Sequence, residues 1–359
     1  MSGLAACWLS YARGESSPFR WVGLPLKAAA VLFKEAVACR RKGFERGWLP
    51  SVRLPVPTIS IGNISMGGTG KTTYTCWLSR SLATAGRRPA VILRGYGAKA
   101  SGPRIVTAGG EGGEEARLLA DSVSNFVVVE AANRWLGARL AIVERGCDTI
   151  ILDDGFQHSA IQRNLDIVLV DALSPWGNGT LLPAGLLREP KQSLGRAHTL
   201  VLTRADLVDS VTCDSLLDEM ARLAPKAVLA AAAHHPIELR RVADNRRSGL
   251  DELVGKQVGL CSAIGNPLAF ERTVHSLGAG ILGHRVFRDH HRYSRDDLNS
   301  VLERFQQAEI VLCTSKDAVR LQPLAAEASD TRLWALEVEW RFLSGEEAIA
   351  RQIAEVLHE

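Results

Sequence analysis

From Leu54 onward the chain alternates short apolar runs with longer stretches of helical periodicity. The runs are "TISIGN", "PAVILRGYG", "FVVVEA", "DTIILDDG", "LDIVLVDA", "HTLVLTRADL", "QVGLCSAIGNP" and "AEIVLCTSKDAV". Buried runs of this length, separated by helical patterns, predict mainly parallel sheets covered by helices on both faces. Two of them, ending at Asp153 and Asp171, close on aspartate, where a strand exit meets solvent. The alanine-rich text after "PAGLLREPKQSLGRA" suggests a break between about 190 and 235, and no repeat with a 20–50-residue period is evident.

The N-terminal pattern differs. Over Arg20 to Leu49, Lys27, Lys34, Glu35, Arg41, Lys42 and Glu45 fall in one helical stripe, and Leu26, Ala29, Ala30, Phe33 and Val37 lie outside it. No uncharged apolar run reaches the roughly 18 residues of a membrane span, and no short apolar core precedes a small-residue cleavage site. Two readings stand: a helix packed on the protein's own core, or an interfacial helix. The second would put Trp8, Trp21 and Trp48 near lipid headgroups and Arg40, Arg41 and Lys42 on anionic lipid.

Composition narrows the class. At 359 residues, 46% apolar and 23% charged, the chain has the length of two globular domains. Its net charge is +4, and residues 1–53 alone carry nine Lys/Arg against three Asp/Glu, so the body sums to about −2. That is not the basic surface of a nucleic-acid binder. Seven scattered cysteines without a CxxC pair fit a reducing, cytosol-facing compartment and no zinc site.

The chemistry begins at "ISMGGTGKTT", Ile64 to Thr73. Strand, glycine loop and helix are the context of a phosphate-binding loop. Ser65 stands where the usual G-x-x-x-x-G-K-[ST] spelling has its first glycine; it is small enough to serve if its backbone angles are ordinary. The expected nucleotide contacts are Ser65, Met66, Gly67, Gly68, Thr69, Gly70, Lys71 and Thr72. Lys71 would reach the β- and γ-phosphates, and the Thr72 hydroxyl would ligate Mg²⁺. Asp153 and Asp154, at a neighbouring strand end, supply the metal-organising acid, with Asp171 a weaker competitor. The expected fold is thus a P-loop NTPase-like α/β/α sandwich over residues 53–195. A smaller α/β lobe (196–359) follows it, and a basic amphipathic N-terminal segment (1–52) precedes it; that this segment is membrane-associated is what the resemblance named below implies.

Three classes use such a loop: phosphotransferases, nucleotide switches and dimeric partition ATPases. Met66 occupies the place of the extra lysine that partition ATPases carry, which disfavours them. "LTRAD" and "CTSKD" look like the base-recognition element of GTP-binding proteins, but the likeness is too short to imply GTP. Three polar clusters exceed the needs of a switch: "DDGFQH", "LLPAGLLREP" and "FRDHHRYS", the last with a carboxylate beside two imidazoles.

Together these pieces resemble the tetraacyldisaccharide 4′-kinase family, the lipid A kinases of Gram-negative bacteria. The likeness covers most of the chain. It rests on "LPVPTISIGNISMGGTGKT", "ILRGYG", "DDGFQH", "NLDIVLVDA", "GNGTLLPAGLLREP", "AIGNP", "FRDHHRYS" and "TSKDAV", and the family's own loop also lacks the first glycine. The resemblance implies transfer of the ATP γ-phosphate, with Mg²⁺, to the 4′-hydroxyl of a tetraacylated glucosamine disaccharide 1-phosphate. It implies two α/β/α lobes with the lipid between them, and an N-terminal helix dipping into the inner membrane from its cytoplasmic face. A monomer, peripheral or monotopic, is expected. Lys71 and Thr72 match the phosphate and metal positions, Asp153 and Asp154 the acids, and Gln157, His158, Arg188 and Glu189 the substrate-side motifs. His290 resembles the family's catalytic histidine, with His291 adjacent. One departure matters: the family's G-D-E reads "GGEEARLLA" here, so Glu114 replaces the aspartate that assists deprotonation, and Glu115 matches the next acid. The expectation is that Glu114 and His290 still work together. The alternative is a soluble GTPase or ATPase switch without a lipid substrate.

Overall fold

The computed structural model describes residues 3–14, 23–95, 102–122, 125–328 and 330–358. Trp21 and the Tyr96-Gly97 end of "ILRGYG" lie outside the described residues. The chain forms two compact units, Met1–Ala233 with Phe342–Glu359, and His234–Arg341.

In the first unit, α1 (Gly3–Arg13) and α2 (Gly23–Glu45) precede the sheet. Its elements are β1 (Thr58–Gly62), α3 (Lys71–Thr84), β2 (Pro89–Leu93), β3 (Arg104–Val106), α4 (Glu114–Ser122), β4 (Val127–Glu130), α5 (Arg134–Arg145), β5 (Thr149–Asp153), β6 (Leu165–Asp171), β7 (Thr199–Thr203), α6 (Ser210–Leu223) and the start of β8 (Val228–Arg241). The strands lie in the order β8-β7-β6-β1-β5-β2-β4-β3, all parallel except β3. β1, β2, β5, β6 and β7 are buried along their whole length, as their unbroken apolar spelling predicts for a sheet covered on both faces. This is the P-loop α/β/α arrangement, with β1 between the strand that carries the acids and the strand that ends at Asp171.

The second unit contains β9 (Arg247–Ser248), β10 (Gln257–Ser262), α7 (Pro267–Ser276), β11 (Gly280–Val286), α8 (Arg295–Arg304), β12 (Ile310–Thr314), α9 (Ser315–Ala328) and most of β13 (Leu333–Ser344). Its parallel strands run in the order β11-β10-β12-β13. Apolar clusters lie on both faces, one around Val301, Phe305 and Leu321, the other around Leu260, Phe270 and Leu312.

The first unit runs to Ala233, inside the 190–235 range in which the sequence suggested a break and beyond the bound of 195. Residues 196–233 stay in the first unit because β7 and β8 extend the parallel ladder, Thr203 opposite Ala232. The chain leaves through β8 and returns through β13. After its return, Phe342 packs edge-on against Trp77 at 4.9 Å. α10 (Glu346–His358) then binds back, Gln352 Nε2 donating to the His198 carbonyl at 3.2 Å.

The N-terminal helices differ from a clean two-faced helix. α2 exposes Leu24, Val31 and Leu32 together with Lys27, Lys34 and Glu35, while Ala30 and Gly43 are buried. Trp8 is not free to face headgroups: its indole N–H donates to the Pro183 carbonyl at 2.8 Å, and the Asn178 N–H donates to the Ala12 carbonyl, so α1 docks on the "GNGTLLPAG" loop. Trp48 is 69% exposed. No described helix is long and apolar enough to cross a membrane.

Candidate active site

The loop between β1 and α3 is shaped from below. A Cβ on Gly62 would sit 2.5 Å from that of Phe156, so only glycine allows the "DGF" turn to pass beneath the end of β1. Ile64 to Met66 then pair with the "GLLRE" strand: Met66 N–H donates to the Leu186 carbonyl and Arg188 N–H to the Ile64 carbonyl, each at 2.7 Å. Ser65, 4% exposed and bridged to Leu187, has no left-handed φ, so no glycine is needed there. Gly67 (φ 126°) and Gly70 (φ 90°) do require one. Nothing lies within 4 Å of where a Gly67 Cβ would be, and α3 starts without a side-chain cap. An uncapped helix N-terminus behind an open glycine turn attracts phosphate, through its free N–H groups and the helix dipole.

Two adjacent carboxylates face this loop with opposite electrostatics. Asp153 ends β5 opposite Ile61 and is 5% exposed. Its Oδ1 accepts from the Thr75 hydroxyl at 3.2 Å. Burial, then the charge of Glu115, push its acid up to about 6 against the opposing pull of Lys71. Asp154, held at φ 50°, is also pushed up by burial, but Lys71 and then Arg188 outweigh this and bring it to about 2. Its carboxylate lies 3.3 Å from Lys71 Nζ and 2.8 Å from Arg188 Nη1, and Arg134 Nη1 donates to its carbonyl at 3.0 Å. So Asp154 is satisfied within the protein, while Asp153 is a buried carboxylate short of positive charge. A divalent cation would supply that charge: Asp153 and Thr72 fit as its protein ligands, and Mg²⁺ there would draw charge off a bound phosphate.

Behind the loop the "DDGFQH" and "REP" motifs form one network. Gln157 Nε2 donates to the Asn63 carbonyl (2.9 Å) and to Glu189 Oε1 (3.0 Å). Arg196 Nη1 donates to Glu189 Oε2 at 2.8 Å, and Asn63 Nδ2 to Thr69 Oγ1 at 3.0 Å. Burial raises Glu189, but the Arg196 contact outweighs it, and the acid is held below its ordinary range. Arg40 of α2 donates to the Gln157 carbonyl at 3.2 Å, which ties the N-terminal helix to the same motif. Burial, then the charge of Arg134, bring His158 down to about 4, so it is a neutral imidazole at pH 7.

Glu114 opens α4, whose preceding Gly113 N–H donates to buried Glu130 at 2.6 Å. In the second unit the two histidines of "FRDHHRYS" separate cleanly. His291 Nε2 is 3.0 Å from Asp297, its ring stacks on Phe287 at 4.8 Å, and Arg320 donates to its carbonyl. His290 has φ 59°, its side chain is 51% exposed, and its Nε2 is 4.0 Å from Asp289 Oδ1. The anchored ring is His291; the presented one is His290. Asp317 of "TSKDAV" is fully buried and accepts from Ala263 N–H, the Tyr293 and Thr314 hydroxyls and Arg320, so it knots three loops of this unit together. Ser262, His284 and Glu271 are spaced at 2.8 and 2.7 Å like a hydrolase triad, but Ser262 is completely buried and no substrate carbonyl can reach it.

Residues 22–358 match the tetraacyldisaccharide-1-P 4′-kinase family. The chain belongs to that family. A tetraacyldisaccharide 4′-kinase of Anaeromyxobacter sp. (strain Fw109-5) is 39% identical over 337 residues, 92% of this chain and 90% of that protein. Another, of Syntrophus aciditrophicus (strain SB), is 37% identical and covers 87% of each. Among solved structures, LpxK from Aquifex aeolicus in complex with ATP superposes with a TM-score of 0.72 at 27% identity, over 94% of this chain and 99% of that one.

Within this family member, the structure gathers Ser65 to Thr72, Asp153, Asp154, Gln157, His158, Arg188 and Glu189 in the first unit, around the end of β1. Glu114 opens a helix of the same unit; His290 belongs to the second. Two partners escaped the sequence reading: Thr75, one turn beyond the loop, and Arg134 under Asp154. Glu115, next to Glu114 at the start of α4, adds the charge that raises Asp153 after burial. Asp171, weighed above as a competing metal acid, is committed to Arg204 at 2.6 Å. "LTRAD" did signal Arg204, though as a base-recognition look-alike.

Proposed function

We propose that this protein transfers the γ-phosphate of ATP, with Mg²⁺, to the 4′-hydroxyl of a tetraacyldisaccharide 1-phosphate, producing the bisphosphorylated lipid A precursor. The observation that carries this reading is a phosphate loop with an under-neutralised Asp153 beside it, in a chain of this family. Lys71 offsets charge on the transferred group, Gly67 to Thr72 position it, and Thr72 with Asp153 would hold the metal. Arg188 and Gln157 keep Asp154 and the loop in place from the lipid-motif side. Incubation with ATP, Mg²⁺ and detergent-solubilised disaccharide 1-phosphate tests it: phosphorylated lipid is the expected product. Nucleotide hydrolysis with no phosphorylated lipid would sink this reading in favour of a switch.

Glu114 and His290 share the work of accepting the 4′-hydroxyl proton. What supports His290 over His291 is its 51% exposed side chain, whereas His291 is stacked on Phe287 and held by Asp297. General-base assistance contributes about 10²–10⁴-fold. Glu114→Gln and His290→Ala are each expected to lower kcat by about 10²-fold, and the double variant by little more than either. Near wild-type turnover of Glu114→Gln would show that the extra methylene has cost this glutamate its role.

The enzyme works as a monomer at the cytoplasmic surface of the inner membrane, where its acylated substrate resides. Exposed Leu24, Val31, Leu32 and Trp48, with Lys27, Lys34 and Lys42 among them, support that placement. Burying each large aliphatic side chain is worth roughly 1.5–3 kcal/mol, so three of them bias partition strongly. Replacing Leu24, Val31 and Leu32 by serine is expected to reduce flotation with anionic vesicles about 10-fold or more. Activity on detergent-dispersed substrate should stay nearly unchanged. Flotation equal to wild type would place the membrane contact elsewhere.

A further inference from the structure

We propose that Arg204 is a positioning residue of the phosphate loop, holding it from the side opposite the metal acids. The inference rests on the nucleotide reading of that loop. β1 lies between β5, which ends at Asp153, and β6, whose far neighbour β7 delivers Arg204. The loop is therefore approached from two directions, and only the first was expected from the motif.

Four features make Arg204 more than a strand-end cation. It is 9% exposed, and its two terminal nitrogens are divided between two acceptors. Nη2 donates to the Gly68 carbonyl at 2.7 Å, across 136 positions of sequence, and Nη1 donates to Asp171 Oδ2 at 2.6 Å. Asp171 is itself fixed: it is buried at the end of β6, and its Oδ1 accepts from the Leu173 N–H at 3.1 Å. Finally, Arg204 has φ 55°. That conformation is costly for a residue with a Cβ and persists only where surrounding contacts over-determine it.

The consequence follows from peptide geometry. A phosphate loop turns N–H groups inward, so its carbonyls turn outward and need partners. Each peptide is planar, so fixing the Gly68 oxygen fixes the plane that also carries the Thr69 N–H. Other bonds on the Gly67-to-Thr69 turn come from the loop and its stem: Thr69 N–H to the Gly67 carbonyl at 3.1 Å, and Asn63 to the Thr69 hydroxyl. Arg204 restrains the turn from a different strand. Without it the Gly67-to-Gly70 turn, which includes two glycines at positive φ, gains alternative conformations that do not bind phosphate. A lysine offers one ammonium in place of a two-pronged guanidinium and cannot reproduce both contacts in the same geometry. The likeness of "LTRAD" to a base-recognition element thus has a structural explanation that involves the loop and not the base.

The test is calorimetric titration of full-length protein with a non-hydrolysable ATP analogue and Mg²⁺, with steady-state kinetics alongside. Charged hydrogen bonds of this kind correspond to about a tenfold change in affinity. Arg204→Met is expected to raise both the analogue Kd and the KM for ATP about 10-fold or more, with the lipid KM unchanged and kcat at saturating ATP largely kept. Arg204→Lys should recover part of the loss. Wild-type analogue affinity in folded Arg204→Met would overturn the proposal. So would equal increases in both KM values, which would mean a general loss of structure. If Arg204→Met does not fold, Arg204→Gln is read in the same way, and failure of all three variants to fold also overturns it. A wild-type protein that does not bind the analogue would remove the nucleotide reading itself; wild-type binding with no effect of Arg204 removes only this inference.

Discussion

Lys71→Ala is expected to leave a folded protein whose kcat is lower by about 10³-fold or more, with the KM for lipid little changed. The reason lies in what Lys71 does before and during the reaction. At rest its ammonium sits 3.3 Å from Asp154. Asp154 also has Arg188 at 2.8 Å and Arg134 on its carbonyl, so removing Lys71 does not strand a buried charge. The fold should therefore tolerate the change, with thermal unfolding shifted by only a few degrees. Phosphoryl transfer has no covalent protein intermediate to replace the lost stabilisation; positioning and charge are nearly all that the enzyme supplies. Residual turnover within tenfold of wild type would assign the γ-phosphate charge to another cation, with Arg188 the first to examine.

Asp153→Asn should separate stability from activity. A carboxylate pushed up to about 6 by burial and by Glu115 is destabilising when ionised, because the folded state holds the proton more tightly than the unfolded chain. The sign follows: this group's contribution favours folding below its ordinary value of 3.8 and is lost as pH rises through about 6. An amide of the same shape removes that penalty. Metal-free Asp153→Asn at pH 7.5 is thus expected to unfold a few degrees above wild type, while turnover falls about 10³-fold and excess Mg²⁺ does not restore it. A variant that is less stable than wild type and still active would deny Asp153 the metal role. The Thr75 hydroxyl can donate equally well to an asparagine oxygen, so the packing around the site is retained.

Much of the nucleotide site was legible because its signals are local. A glycine at φ 126°, a second at φ 90° and a lysine opening a helix are all encoded within ten residues. Ser65 was legible too, since an ordinary φ asks nothing special of the side chain. The "DDGFQH" and "LREP" clusters were recognisable as a pair, but not the bonds between them. Gln157 and Glu189 stand 32 positions apart, and Arg188 and Asp154 are 34 apart, so no spacing rule could join them. Identical letters also hid different roles. Asp153 and Asp154 are neighbours in one word, and only the cations around Asp154 make one a satisfied ion-pair partner and the other a candidate metal ligand. His290 and His291 diverge in the same way, through Phe287 and Asp297.

By itself, the sequence determined the strands, the phosphate loop and the family, because periodicity, glycine placement and motif spelling depend on neighbours along the chain. Tertiary structure alone decided where the first unit ends, which histidine is held, and that Arg204 reaches back to Gly68. Each of those depends on the order in which parallel strands lie side by side. That order comes from packing two faces of a buried sheet, and residues far apart in sequence meet only once the packing is complete.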